Sequence, residues 1–259
     1  MSLNLISEVM KIIKTSALFV FAALLVASCS SKPEGTEAQV SEAQEVKKVS
    51  NEANTYGLAL DQSEVEWYGF KPTGSHNGTF AIKNGDISVE NGEIVGGEFT
   101  IDLAQIEVSD LEGEYETKLV THLKSPDFFD VENHPEAKFV ITSVEAYDEN
   151  TSADFGVSGK DVVVNDEEVN EFTLDSPTHI ITGNLTMRGN SLSISFPAKV
   201  SMENDAINAE AKFMIDRTKW GVSYREEATL AQRAKDELIY DTVHIEFEIN
   251  ASSKDEPVS

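Results

Sequence analysis

Side chains suited to acid–base, nucleophilic or metal chemistry are sparse and scattered in this chain. Of the histidines His76, His122, His134, His179 and His244, no two stand at a metal-binding spacing such as H-x-x-x-H, and the single cysteine, Cys29, precedes them all. No G-x-S-x-G elbow or phosphate-cradling loop occurs. The glycines of Gly74–Gly78 read as a turn. Acidic residues gather at 148–178, where Asp148, Glu149, Asp154, Asp161, Asp166, Glu167, Glu168, Glu171 and Asp175 face only Lys160. Their spacing is not the alternation of an EF-hand, so the segment reads as a solvated insertion rather than a calcium loop. No catalytic residue, metal site or cofactor is assigned. The formal net charge of −26 argues against nucleic acid, because neutralising phosphates needs a basic face, and against electrostatic docking on anionic lipid.

With little chemistry to place, the informative elements are those that could enclose something. Leu111, Tyr115, Leu119 and Leu123 recur every four residues and predict a helix with one apolar stripe, capped by Ser109 or Asp110. Ser125-Pro126 stops it, since proline has no N–H to continue the ladder. Ser125 can cap a following short turn that holds Phe128 and Phe129 side by side, and His134-Pro135 makes another turn. A lone amphipathic helix with an aromatic pair, set between strands, suits the closing of one end of a sheet or barrel, and its stripe points His122 toward that mouth.

Around this helix the apolar period is two. Val65/Trp67, Phe80/Ile82, Ile87/Val89 and Phe99/Ile101/Leu103 alternate with polar neighbours and are broken at Gly74–Gly78, Asn84-Gly85, Asn91-Gly92 and Gly96-Gly97. Further strands are predicted at Phe139–Val144, Ile181–Met187, Leu192–Met202, Ile207–Ile215 and Ile239–Ile249, with a short extra one at Val162–Val164. Ser223–Glu226 fits a capping box opening a short helix to about Asp236. Antiparallel strands with one wet face and no evident edge protection suggest a closed up-and-down barrel, with a sandwich as the alternative. The fold class is all-β, a barrel with a helix at its mouth and an acidic insertion.

The ends have other compositions. Lys11 and Lys14 precede an apolar run, Leu18 to Ala27, too short for a membrane span, and Val26-Ala27-Ser28-Cys29 resembles the lipobox of bacterial lipoproteins. Residues 1–28 then form a signal peptide, Cys29 carries the lipid, and the protein is anchored in the cell envelope; an ordinary signal peptide with an incidental cysteine is the alternative. Ser30 following the cysteine suits, by the enteric rule, an outer-membrane location facing the periplasm or cell surface. Removing residues 1–28 takes away Lys11, Lys14 and Glu8, one net positive charge, and leaves −27. Residues 29–56, nearly devoid of large apolar side chains, read as a flexible tether spanning roughly 28 Å. Residues 57–250 form the barrel domain and 251–259 a disordered tail.

Three motifs, His122-Leu-Lys-Ser-Pro-Asp-Phe-Phe-Asp130, Gly183-Asn-Leu-Thr-Met-Arg-Gly189 and Phe213-Met-Ile-Asp-Arg-Thr-Lys-Trp-Gly-Val222, together resemble the YceI-like family. Leu60–Trp67 and Asp241–Ile249 are similar to that family's first and last strands. The resemblance implies an eight-stranded lipocalin-like barrel in a periplasmic or secreted protein, its apolar tunnel holding a long amphiphile such as a polyisoprenoid quinone. Leu119-Val120 stand here where the family usually has an Arg-Asp pair, which removes or replaces a polar interaction at the mouth. Candidate tunnel and mouth residues are Trp67, Phe80, Phe99, Ile101, Leu119, His122, Phe128, Phe129, Phe139, Leu185, Met187, Phe196, Phe213, Trp220 and Phe247. Their pattern alone fits a filled core as well as a cavity. Trp220, in a turn beside a basic pair, could end the tunnel or merely cap the barrel. The expected ligand is a polyisoprenoid or fatty amide. The competing readings are an enzyme acting on a lipid within the barrel and a ligand-free structural or stress-response lipoprotein.

Overall fold

A computed structural model describes residues 34–148, 155, 172–228 and 238–254. The signal segment, Cys29, the expected strand at 162–164 and most of the acidic insertion lie outside the described residues. The strands are β1 (Gln39–Glu42), β2 (Asn54–Leu58), β3 (Glu64–Lys71), β4 (Gly74–Glu90), β5 (Glu93–Asp102), β6 (Glu136–Ala146), β7 (His179–Met187), β8 (Asn190–Glu203), β9 (Ala206–Asp216) and β10 (Thr242–Ser253), with one helix, α1 (Gly113–Lys124). From β3 to β10 each strand pairs antiparallel with the next, and β10 pairs back with β3, so eight strands close a barrel. β2 continues the line of β3 beyond a 3-10 turn at Leu60–Gln62, pairing with the far ends of β4 and β10. Closure turns every second side chain inward, and the β10–β3 pairing decides for the barrel over the sandwich that the period-two pattern left open.

Several local features differ from expectation. Asn91-Gly92 does turn a hairpin, with φ of 54° and 81°, both in the left-handed region a two-residue type I′ turn requires. Asn84-Gly85 does not: β4 runs through it with a bulge between Ile82 and Asn84. Gly85 is there because the neighbouring strand is close, since a Cβ would sit 3.0 Å from the Glu98 carbonyl oxygen. The turn expected within Gly74–Gly78 falls just earlier, at Pro72-Thr73, and Gly74–Gly78 opens β4. Ser223–Glu226 forms a turn instead of a helix start, because Arg225 has φ of 52°. The final strand begins at Thr242 rather than Ile239 and runs to Ser253, so the first residues of the expected tail are strand.

The segment expected as a flexible tether is, from Glu34 onward, a strap on the barrel. β1 pairs with Leu192–Ser195 of β8. Ala38 and Val40 pack against the core. Further along, the Gln44 N–H donates to Asn184 Oδ1 (2.8 Å) and Asn184 Nδ2 donates to the Gln44 carbonyl (2.7 Å). Composition suggested disorder because few strap side chains are apolar; backbone pairing and one reciprocal amide clamp hold it instead.

α1 also differs in detail. Its N-cap is Glu112, not Ser109 or Asp110. The Asp110 carboxylate instead meets His76 Nδ1 at 2.8 Å and accepts from the Asn77 N–H at 3.2 Å. Only the last turn of the stripe is buried: Leu123 is, Leu119 is half-buried, and Tyr115 is 72% exposed. The helix touches the barrel end with its C-terminal turn and leaves its first half in water.

Candidate functional site

The strands place their inward side chains around a cavity of about 220 Å³ whose wall presents no polar surface. Twelve of the fifteen candidate residues line it: Trp67, Phe80, Phe99, Ile101, Phe128, Phe129, Phe139, Leu185, Met187, Phe196, Phe213 and Phe247. Aliphatic residues of the same alternating pattern complete the wall, among them Val65, Ile82, Ile141, Ile194, Ile215, Val243 and Ile245. The wall also includes Gly69, Ala137 and Ala209, and these small residues leave the space that the aromatics do not fill. Away from the helix, inward Val200, Ile207 and Ala251 are buried and do not line the cavity, whereas Ile87 and Ile94 of β4 and β5 do.

Three candidates stand elsewhere. Trp220 is fully buried outside the wall; its Nε1 donates to the Leu185 carbonyl (2.9 Å) while its own carbonyl accepts from Asn190 Nδ2 (3.1 Å). It caps the barrel. Leu119 packs on the core from the helix without reaching the cavity. His122 lies behind the Phe128 ring, edge-on to Phe128 (4.9 Å) and Tyr224 (4.7 Å), with Nε2 3.3 Å from the Asp127 carboxylate. The helix turns it across the aromatic pair, not into the tunnel.

The aromatic pair is positioned by the break that the proline imposes. The Phe128 N–H donates to the Ser125 carbonyl (3.0 Å) and the Phe129 N–H to the Leu123 carbonyl (3.0 Å), folding the chain back under the helix. Arg188, in the β7–β8 hairpin, donates to the carbonyls of Pro126 (3.2 Å) and Phe128, tying the turn to the rim. Phe129 meets Phe80 edge-on at 5.6 Å.

The one charged residue in the wall, Arg217, had no signal in the alternation, because it follows the end of β9. It contributes to an apolar wall through its stem, while the guanidinium points away. Nε and Nη2 donate to the carbonyls of Tyr240 (3.1 Å) and Ile239 (3.1 Å), and Nη1 donates to that of Val222. Burial lowers its pKa, opposed by the charge of Asp241, 3.6 Å away; burial raises the pKa of Asp241 in turn. These bonds draw both ends of the 217–241 connection onto the barrel rim, which sets Val222 and Ile239 against the cavity.

The other histidines are outside the cavity. His179 Nδ1 lies 2.8 Å from the Thr178 hydroxyl, and burial lowers its pKa. His244 is fully buried on the outer face, with Nε2 2.9 Å from Glu246 and its ring 4.6 Å from Phe172, which belongs to the acidic insertion. Among the described residues no three of His, Cys, Asp and Glu gather as a metal site.

The YceI-like domain matches residues 56–251, and the three motifs lie at the helix break, along β7 and at the end of β9. The chain belongs to the YceI-like family. Among solved structures, this YceI-like barrel is similar to Burkholderia cenocepacia BcnA, at 17% identity and a TM-score of 0.51, over 75% of this chain and 99% of that one. It is also similar to a polyisoprenoid binding domain from Saccharophagus degradans implicated in plant cell wall breakdown, at 15% identity and a TM-score of 0.50, over 76% and 98% of the two chains. At such identities the likeness is one of fold. No curated protein matches the chain. The strap, residues 34–53, precedes the part of this YceI-like protein that the family covers.

Proposed function

We propose that this protein binds and carries a long-chain isoprenoid or fatty amphiphile in the bacterial cell envelope. The observation that carries the reading is a cavity along the barrel whose wall offers no polar surface. Such a wall stabilises a hydrocarbon chain by about 0.8 kcal/mol per buried CH₂ and gives a polar group nothing to bond. Lost translational and conformational freedom offsets part of that gain. Family membership and the likeness to a domain described as polyisoprenoid-binding support the same class. The charge of −27 on the mature chain disfavours anionic head groups, leaving neutral quinone-like or amide heads preferred. Purified protein extracted with an apolar solvent should yield a neutral long-chain lipid by mass spectrometry. An empty extract, or cargo that is consistently a phosphate ester, overturns the reading.

Anchoring through an acyl group on Cys29 is part of the proposal. The strap begins at Glu34, so at most about 18 Å of extended chain separates the cysteine from the docked segment. Cys29→Ala is expected to move the protein from the membrane to the soluble fraction with its melting temperature unchanged. A wild-type protein that fractionates as soluble and lacks acyl mass sinks the anchor.

A further inference from the structure

The barrel wall has one seam. β8 and β9 pair directly only over Lys199–Glu203 and Ala206–Glu210. Toward the helix end, β1 takes over the edge of β8 at Leu192–Ser195. Its backbone link to β9 is at Met214: the Ala38 N–H donates to the Met214 carbonyl (2.9 Å) and the Met214 N–H donates to the Thr36 carbonyl (2.8 Å). By contrast, β9 pairs with β10 from Ala206 to Asp216, and β7 with β8 from His179 to Met187.

The seam opens on the cavity. Ile194 and Phe196 on one side and Phe213 and Ile215 on the other line it, and the Phe196 and Phe213 rings stack across the gap at 4.2 Å and 8°. Val40 is opposite Ile194 and packs against the core with Ala38, so the strap fills the seam behind the cavity wall without itself lining the cavity. Its other residues here, Gln39, Ser41 and Glu42, are polar, so the hydrocarbon it holds down is mainly Ala38, Val40 and the Met214 side chain beside Gly35. At the helix end this seam forms part of the barrel rim.

We infer that the strap is a door: release of residues 36–45 from the β8–β9 seam widens the mouth and is the step that admits and frees the cargo. This rests on the proposal that the cavity holds a chain. Ser41 lies opposite Ser193, and both point away from the cavity because their neighbours Val40 and Ile194 face inward; Ser41 is exposed and Ser193 is buried, so cysteines at the two positions can be cross-linked without entering the cavity. Ser41→Cys with Ser193→Cys, in the Cys29→Ala chain, is loaded with retinol, a neutral isoprenoid alcohol whose emission rises in apolar surroundings. The oxidised form is expected to take up and release retinol at least about tenfold more slowly than the same protein after reduction, with Kd changed less than about twofold, because a door alters barriers and not end states. Asn184→Ala, which loses both hydrogen bonds to Gln44, should exchange faster than the parent. Equal rates in oxidised and reduced protein that does bind retinol, or exchange in Asn184→Ala no faster than in the parent, overturn the door alone. Failure of every form to bind retinol or the extracted lipid overturns the carrier reading and the door with it.

Discussion

Gly69→Leu is expected to empty the barrel while leaving it folded. Gly69 has the inward parity of Val65 and Trp67 on β3 and lines the cavity. A Cβ built there meets only Trp67 Cζ3, at 3.9 Å, an ordinary van der Waals contact. A leucine side chain therefore grows into the space the cargo needs, not into the protein. Displacing even four CH₂ groups of a bound chain removes about 3 kcal/mol, a hundredfold or more in affinity. Filling a cavity with hydrocarbon adds contacts, so the melting temperature of the empty protein should hold or rise. The measurement is retinol binding by fluorescence beside thermal denaturation of the same samples. Affinity within threefold of the parent, in a variant with parental melting, shows that the chain does not lie against β3. Gly183, also inward by parity, is unsuitable for this test. A Cβ there would overlap the Phe139 ring, 2.6 Å from Cε2, and lie 2.7 Å from the Val140 carbonyl oxygen. Gly183→Leu would report on misfolding.

Trp220→Ala should have the opposite signature: a large loss of stability with little loss of affinity in the protein that remains folded. The ring is fully buried, and its N–H is the partner of the Leu185 carbonyl at the end of β7. Truncating a buried tryptophan costs about 3–5 kcal/mol, from lost contacts and the cavity left behind. A domain of this size loses about 2–4 °C per kcal/mol, so the melting temperature should fall by roughly 6–20 °C. Trp220→Phe retains most of the packing but removes the indole hydrogen bond to the Leu185 carbonyl, and should fall between parent and alanine variant. Because the indole is not in the cavity wall, Kd measured well below the transition should match the parent. A variant that melts like the parent yet binds weakly would place the indole against the cargo after all.

Arg217 shows how the same stretch of sequence can hide two roles. Its neighbours Asp216 and Lys219 make the turn look like a charged surface loop, yet the guanidinium is consumed by three backbone carbonyls and leaves only its stem to the cavity. A polar group buried at the rim of an apolar cavity must be fully bonded, since an unmet donor there would cost as much as several contacts gain. Its partners are backbone atoms of residues 222, 239 and 240. Backbone atoms are identical at every position, so nothing in the side-chain pattern marks them as partners.

By itself the sequence determined antiparallel strands with one apolar face and the identity of most of the wall, and its three motifs pointed to the barrel rather than a sandwich. Alternation such as Val65/Trp67 and Phe99/Ile101 is a local property: each side chain's face follows from its position along one strand, and closure brings all inward faces together. The proline break and the Phe128-Phe129 pair were legible for the same reason. Whether those inward side chains leave a cavity was decided only by the tertiary structure, because it depends on which small residue, Gly69, Ala137 or Ala209, comes to face which ring across the barrel. The tertiary structure also moved His122, Leu119 and Trp220 out of the cavity, since a helix or turn can roll about its own axis when it docks and a paired strand cannot. The strap was invisible to composition. Its binding energy lies in backbone pairing with β8 and in the Asn184 clamp, neither of which requires an apolar sequence, so polar residues that look disordered in isolation are ordered by the edge they complete.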